Sequence, residues 1–390
     1  MKLKLLWGLG GIVVAAAAFF ALAPSIAENS MNKVLGTDHK ISARAAALHK
    51  KLFIVDMHSD ALMWKRDVLD RNNRGHVDLP RLEEGHVALQ IFSSVTKTPR
   101  GLNYDSNTGD TDSITMLAIG QMQPVRTWNS LVQRSLFHAE KLKQAVAASN
   151  GRLRLIKSKG DLEQLLADRA AGKQVTGALL STEGMHNIEG KIANLQWLDL
   201  VGFRMMGLTH FFDNEVADSM HGVKQGGLTP LGREAIAAME RRGIIVDVAH
   251  LSHKGVAEVL AIAKRPVVSS HGGVQATCKV NRNLTDEEIK GIAKTGGVVG
   301  IGYFEGAICS TKPDDIAKAI LHVRDIAGID HVALGSDFDG AVETAFDTSG
   351  VAHVTQALID AGMSDADIAK VMGGNMVRVL LQALPGDRVK

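Results

Sequence analysis

Ile244-Ile245-Val246-Asp247-Val248-Ala249-His250-Leu251-Ser252 is an apolar run that ends on an imidazole, and Pro266-Val267-Val268-Ser269-Ser270-His271-Gly272-Gly273 repeats the design a few residues later. Each reads as a short buried strand that delivers a histidine just beyond its end. Helical patterns at Thr229–Arg241 and Lys254–Ala263 flank the first of them. Strand, helix and strand in that order build a parallel sheet covered on both faces.

Six further runs share this character: Leu52–Asp56, Ala88–Phe92, Gly177–Leu180, Arg204–Leu208, Val298–Gly302 and Val332–Gly335. With Ile244–Val248 and Pro266–Ser269 they make eight, which fits a closed α/β barrel or a doubly wound open sheet. The reactive residues decide between them. His58 and Asp60 follow the first run, Glu183 the third, His210 the fourth, His250 the fifth, His271 the sixth and Asp337 the eighth. A (β/α)8 TIM barrel, the architecture common among metal-dependent hydrolases, gathers such positions on one rim, whereas an open sheet spreads them along an edge.

Residues 95–154 interrupt the rhythm between the second and third strands. This insertion begins with a polar loop over Gly101–Asp112 and becomes helix-like from Ser113 to Ser149. We read it as a lid or an oligomer contact on the catalytic rim.

The N-terminus is read apart from the fold. Lys2 and Lys4 precede an apolar stretch from Leu5 to Ala23, Pro24 ends it, and Ser25 and Ala27 are small. Residues 1–27 have the form of a signal peptide or an N-terminal membrane anchor, so an exported chain is expected, periplasmic or extracellular. A polar linker, 28–40, leads into one catalytic barrel over 41–390. The formal charge of +2 and the lack of a basic run beyond the first residues argue against a nucleic-acid partner. Cys278 and Cys309 are the two cysteines; in an exported chain they invite a disulfide, with two buried free thiols as the alternative.

In Asp56-Met57-His58-Ser59-Asp60, alternation along a strand lets His58 and Asp60 face the barrel mouth together, as half of a metal site. Alone, His-x-Asp reads equally as a hydrogen-bonded pair. Glu183, in Ser181-Thr182-Glu183-Gly184, must be paired, hydrated or liganded, because an unpaired buried carboxylate is costly. A bridge between two cations would satisfy it, and so would a salt bridge or a cap. His250 and His271 add two imidazoles. Five ligand-type residues at corresponding strand ends suit two metals sharing one carboxylate better than chance does. Asp337, in Gly335-Ser336-Asp337-Phe338-Asp339-Gly340, is placed for proton transfer, while Asp339 turns into the loop. His186, His221 and His253 read as surface residues or supports of the ligands, and Met205 and Met206 as core filling.

The ordered set His58-x-Asp60, Glu183-Gly184, Leu208-Thr209-His210, Asp247-x-Ala249-His250-x-Ser252, Ser270-His271, Asn281-Arg282-Asn283 and Gly335 to Gly340 resembles the membrane dipeptidase (renal dipeptidase) family of zinc metallopeptidases, peptidase family M19. Asp218-Ser219 and Gly374-Asn375 extend the likeness over nearly all of the chain beyond residue 27. The resemblance implies a signal-bearing dipeptidase that holds two zinc ions, one on His58 and Asp60, the other on His250 and His271, with Glu183 between them. It implies that His210 offsets charge on the scissile carbonyl oxygen, Arg282 binds the substrate's terminal carboxylate and Asp337 shuttles the proton. It further implies a Cys278–Cys309 disulfide, small dipeptide substrates including those with a C-terminal D-residue, and a homodimer. The expected chemistry is attack by a metal-bridging hydroxide. Lactonases, phosphotriesterases and deaminases on related barrels are the rival reading, but many of those use a carboxylated lysine as the bridge, and no lysine stands at a strand end here. A catalytically silent binding protein on the same barrel is the other rival, and its mark would be a lost ligand or proton shuttle.

Overall fold

A computed structural model describes residues 18–387 of the chain. Strands β1 (Ile54–Ser59), β2 (Val87–Phe92), β3 (Thr176–Thr182), β4 (Phe203–Gly207), β5 (Ile245–Asp247), β6 (Val267–Ser269), β7 (Val298–Ile301) and β8 (Val332–Leu334) coincide with the eight apolar runs. All pair in parallel in chain order; β8 returns to β1, with Leu334 opposite Asp56, and the ring closes. The protein is a (β/α)8 barrel, and every strand residue is buried.

Alternation along the strands sorts their side chains into two cores. Val55, Met57, Leu89, Ile91, Met205 and Val268 cluster with Met376, Val379 and Leu380 of the helix Asn375–Ala383. Their neighbours Ile54, Phe92, Met206 and Val267 join the larger core beneath the outer helices. Met205 and Met206 thus fill the two cores in turn. A third, small cluster of Met63, Trp64, Val95, Ile114 and Leu117 belongs to neither and sits with the rim segments.

The region expected to be helical from Ser113 to Ser149 is three helices, Ser113–Gly120, Arg126–Asn129 and Leu131–Ala148. Met122 has φ 54° and Pro124 follows it, which stops the first helix. Ser130 caps the third by accepting from Gln133 N. A ninth strand, Leu153–Leu155, pairs with β3 as an edge.

Residues 1–17 lie outside the described part, so the stretch expected to be a signal peptide or anchor is described only from residue 18, where a helix runs to residue 31. No helix among the described residues is long and apolar enough to cross a membrane. Residues 28–34, within the stretch read as linker, are seated on the barrel. Glu28 is buried, Asn32 accepts from Ala341 N at 2.9 Å, and Lys33–Val34 pairs in parallel with Glu343–Thr344.

Candidate active site

The strand ends bring the candidate ligands together. Glu183 directly follows β3, and Gly184 after it has φ +93°; a side chain there would meet the His186 ring at 2.5 Å. That turn aims the Glu183 carboxylate into the mouth. Its Oε1 lies 3.0 Å from His250 Nε2, 3.2 Å from His271 Nε2 and 3.4 Å from His210 Nε2, while Oε2 lies 3.7 Å from His58 Nε2. His58 Nε2 is also 3.5 Å from Asp60 Oδ1 and 3.8 Å from Asp337 Oδ1. All of these side chains are buried.

Asp56, inside β1, and Asp247, the last residue of β5, fix the frame; the sequence motifs contain both but assign a role to neither. Asp56 accepts from Ser336 N at 2.8 Å, Ser336 Oγ at 2.6 Å and Gln90 Nε2 at 3.1 Å, tying β1 to the loop that carries Asp337. Asp247 accepts from Ala249 N at 3.0 Å and Ser270 N at 2.9 Å, tying the His250 turn to His271. Their signal was an acid in an apolar strand matched by a serine directly before a candidate site residue elsewhere. His250 sits at φ 61° and Asp337 at φ 62°, unusual for residues with side chains. His250 O is held there by Met220 N at 3.0 Å and Ser219 Oγ at 3.1 Å.

The donor chemistry fits metal ions. Burial pulls the pKa of His250 and of His271 well below the ordinary imidazole value, so both are neutral, and their Nε2 atoms face each other at 2.9 Å. Ser270 Oγ lies 2.9 Å from His271 Nδ1, which suits a proton on Nδ1 and a bare Nε2. Both nitrogens of His58, Oδ1 of Asp60 and Nδ1 of His210 are buried without a hydrogen-bond partner among the described residues. Three interlinked groups have ligand atoms close enough to share an ion: His58, Glu183 and His271; Glu183, His210 and His250; and His58, Asp60 and Asp337.

Arg282 is buried beside these groups. Its Nη2 donates to His250 Nε2 at 3.2 Å, its guanidinium lies 4.8 Å from the centre of the Phe304 ring, and Nη1 has no hydrogen-bond partner among the described residues. Cys278 and Cys309 are disulfide-bonded, with Cα atoms 5.4 Å apart, and pin the loop that carries Arg282 to the segment that follows β7. Asp339 faces away from the site, toward Arg66.

The lesser histidines divide. His253 is partly exposed and paired with Glu288 at 2.7 Å. His221 and His186 are fully enclosed rather than on the surface. His221 stacks on Phe211 and lies 2.7 Å from Tyr104 O, while His186 bonds Thr96 Oγ1 at 2.9 Å.

A cavity of about 590 Å³ opens onto Asp60, Glu183, His210, His250, Arg282 and Asp337. A barrel with buried carboxylates and neutral imidazoles facing such a cavity at the C-terminal ends of its strands defines a metal-dependent hydrolase. Residues 42–385 match the model of the membrane dipeptidase family, peptidase family M19, and the chain belongs to that family of dipeptidases, which are metallopeptidases. The dipeptidase aclJ of Aspergillus oryzae is 30% identical over 349 residues, covering 84% of this chain and 77% of its own. Among solved structures, the probable dipeptidase PvdM from Pseudomonas aeruginosa superposes with a TM-score of 0.72 at 22% identity, over 87% of this chain and 98% of its own. A metallopeptidase from Rhodobacter sphaeroides, liganded with a phosphinate mimic of the dipeptide L-Ala-D-Ala, superposes with a TM-score of 0.71 at 22% identity, over 85% and 99%.

Proposed function

We propose that the protein is a two-zinc dipeptidase that cleaves the peptide bond of free dipeptides, including those with a D-residue at the C-terminal position. The observation that carries this reading is the division of Glu183: one oxygen faces His250 and His271, the other faces His58. That suits a carboxylate shared by two cations, one on His58 and Asp60 and one on His250 and His271. Bound zinc supplies electrophilic assistance and a water acidic enough to ionise near neutral pH. The D-residue draws support from the Rhodobacter sphaeroides relative and its L-Ala-D-Ala mimic.

The chain's own groups do the rest. Arg282 offers a planar guanidinium, with Nη1 free, to the substrate's terminal carboxylate. That contact places the scissile bond one residue away, over Glu183, and so favours dipeptides over longer chains. His210, directly beyond β4, offsets the charge that develops on the carbonyl oxygen. Burial pushes the Asp337 carboxyl well above the usual range; His58 and Arg282 pull against it, and Glu183 and Asp60 add to it. Cations held beside it would favour the ionised form, and that carboxylate takes the proton of the attacking water and returns it to the departing nitrogen.

The basic and then apolar start supports export beyond the cytoplasmic membrane, and the family likeness supports a homodimer. The test of the substrate reading is Arg282→Met, assayed on a dipeptide and on its C-terminal amide. Loss of a buried charged partner should lower kcat/KM for the dipeptide at least about 30-fold and leave the amide little changed. Unchanged discrimination would remove Arg282 from the role.

A further inference from the structure

The cavity is divided by chemistry. Its ionisable lining among the described residues, Tyr104 aside, is Asp60, Glu183, His210, His250, Arg282 and Asp337, all groups already assigned to metal, carboxylate or proton. The small rim cluster of Met63, Trp64, Val95, Ile114 and Leu117 lines the same cavity. Trp64 spends its one polar atom on Asp339 O at 2.7 Å, leaving an apolar ring.

Barrel order fixes where this plate lies. Met63 and Trp64 follow β1 and Val95 follows β2, while His250 follows β5 and Arg282 lies beyond β6. In a ring of eight strands, β1 faces β5 and β2 faces β6. The plate is therefore across the mouth from Arg282. A dipeptide with its carboxylate on Arg282 and its amide bond over Glu183 extends its N-terminal residue toward the plate. A charged side chain there would lose water against apolar neighbours, since Arg282 and the carboxylates of the described lining are already taken up by the substrate's terminus, the metals and the proton. An aliphatic or aromatic side chain gains burial against the five apolar residues.

We propose that Met63, Trp64, Val95, Ile114 and Leu117 form the subsite for the N-terminal side chain and select dipeptides whose first residue is large and apolar. This rests on the dipeptidase reading and names its substrate class.

The test uses the full chain, loaded with zinc, on dipeptides that share C-terminal alanine and begin with Gly, Leu, Phe, Lys or Asp. Burial of several methylenes predicts kcat/KM for Leu-Ala and Phe-Ala at least about tenfold above Gly-Ala, Lys-Ala and Asp-Ala. Ile114→Glu, close to the exposed face of the insertion helix, should lower Leu-Ala and raise Lys-Ala. Should that variant fold poorly, Leu117→Ala should narrow the gap between Phe-Ala and Gly-Ala. Equal rates across the panel, or faster Lys-Ala or Asp-Ala with the unaltered chain, would overturn the subsite. Hydrolysis of none of the five would instead overturn the dipeptidase reading, and the subsite with it.

Discussion

Arg66 and Asp339 form an ion pair in which neither side chain reaches solvent. Arg66 also bonds Glu28 and the Val77 carbonyl, and Asp339 accepts from His76 N at 2.7 Å and Val77 N at 3.1 Å. The pair anchors a loop in which Asp337, Asp339 and Ala341 all have positive φ. Such backbone persists only where its surroundings over-determine it. Arg66→Met leaves buried Asp339 without its guanidinium partner and Glu28 with Arg74 alone, and should cost about 3–5 kcal/mol in denaturant unfolding. Because Asp337 sits on the same loop, kcat should fall as well; an unaltered unfolding midpoint would show that the pair contributes nothing.

The proton role proposed for Asp337 has its own consequence. Asp337→Asn keeps the shape and removes the titrating group, so kcat should drop by about 10²–10⁴-fold with KM little changed. Stopped-flow and steady-state assays on one dipeptide decide it, and a kcat within a few-fold of the parent would assign the proton elsewhere.

Support of a ligand is predicted to matter at Ser270. Its hydroxyl is 2.9 Å from His271 Nδ1 and orients the ring. Ser270→Ala should weaken zinc binding by about 10–100-fold, read by competition with a chelator. Equal affinity would mean that the ring is held by packing alone.

How far these relationships could be read in the chain follows from where their partners lie. The eight strands were legible because each is a short, near-continuous apolar run, and the candidate ligands were legible only as a set, because each carboxylate or imidazole beyond a run reads alone as a pair or a cap. Arg66 and Asp339 are 273 residues apart, and nothing local marks either as half of a pair. Glu28 reads as part of a polar tail, since only the folded barrel brings Arg66 and Arg74 to it. The helical pattern from Ser113 to Ser149 hid its breaks because apolar spacing continues across Pro124. Ile114 and Leu117 read as an ordinary helix face until the fold sets that face against Trp64 and Val95.

Acid stability should report on His49. Its Nε2 lies 3.0 Å from Gly85 O and its Nδ1 2.7 Å from Thr355 Oγ1, a pairing that a neutral ring satisfies on both sides. Burial pulls its pKa from 6.5 to about 4, against the opposing bond to Gly85. The unfolded chain therefore binds this proton first, and stability is complete above 6.5 and lost as pH falls through about 4. The loss is about 3 kcal/mol. Urea midpoints across that window should decline, and His49→Gln should flatten the decline. An equal slope in the variant would place the effect on other groups.

The disulfide should hold both the fold and the Arg282 loop. Cys278 and Cys309 are 31 residues apart, and closing a loop of that length is worth about 3–4 kcal/mol on chain-entropy reasoning. Replacing both by Ser should lower stability by that amount and raise KM for dipeptides. A KM equal to the parent's would mean that the stacking of Arg282 on Phe304 is enough to hold the guanidinium.

The proposed hydrolysis depends on Glu183 and its neighbours holding a pair of metal ions. Elemental analysis of the purified full-length protein, paired with a dipeptide assay before chelation, after it and during stepwise return of zinc, tests this directly. Two zinc ions per chain are predicted, with activity lost on stripping and recovered as zinc is restored. Full dipeptide hydrolysis by the stripped protein, or failure to bind zinc in the titration, would contradict the account.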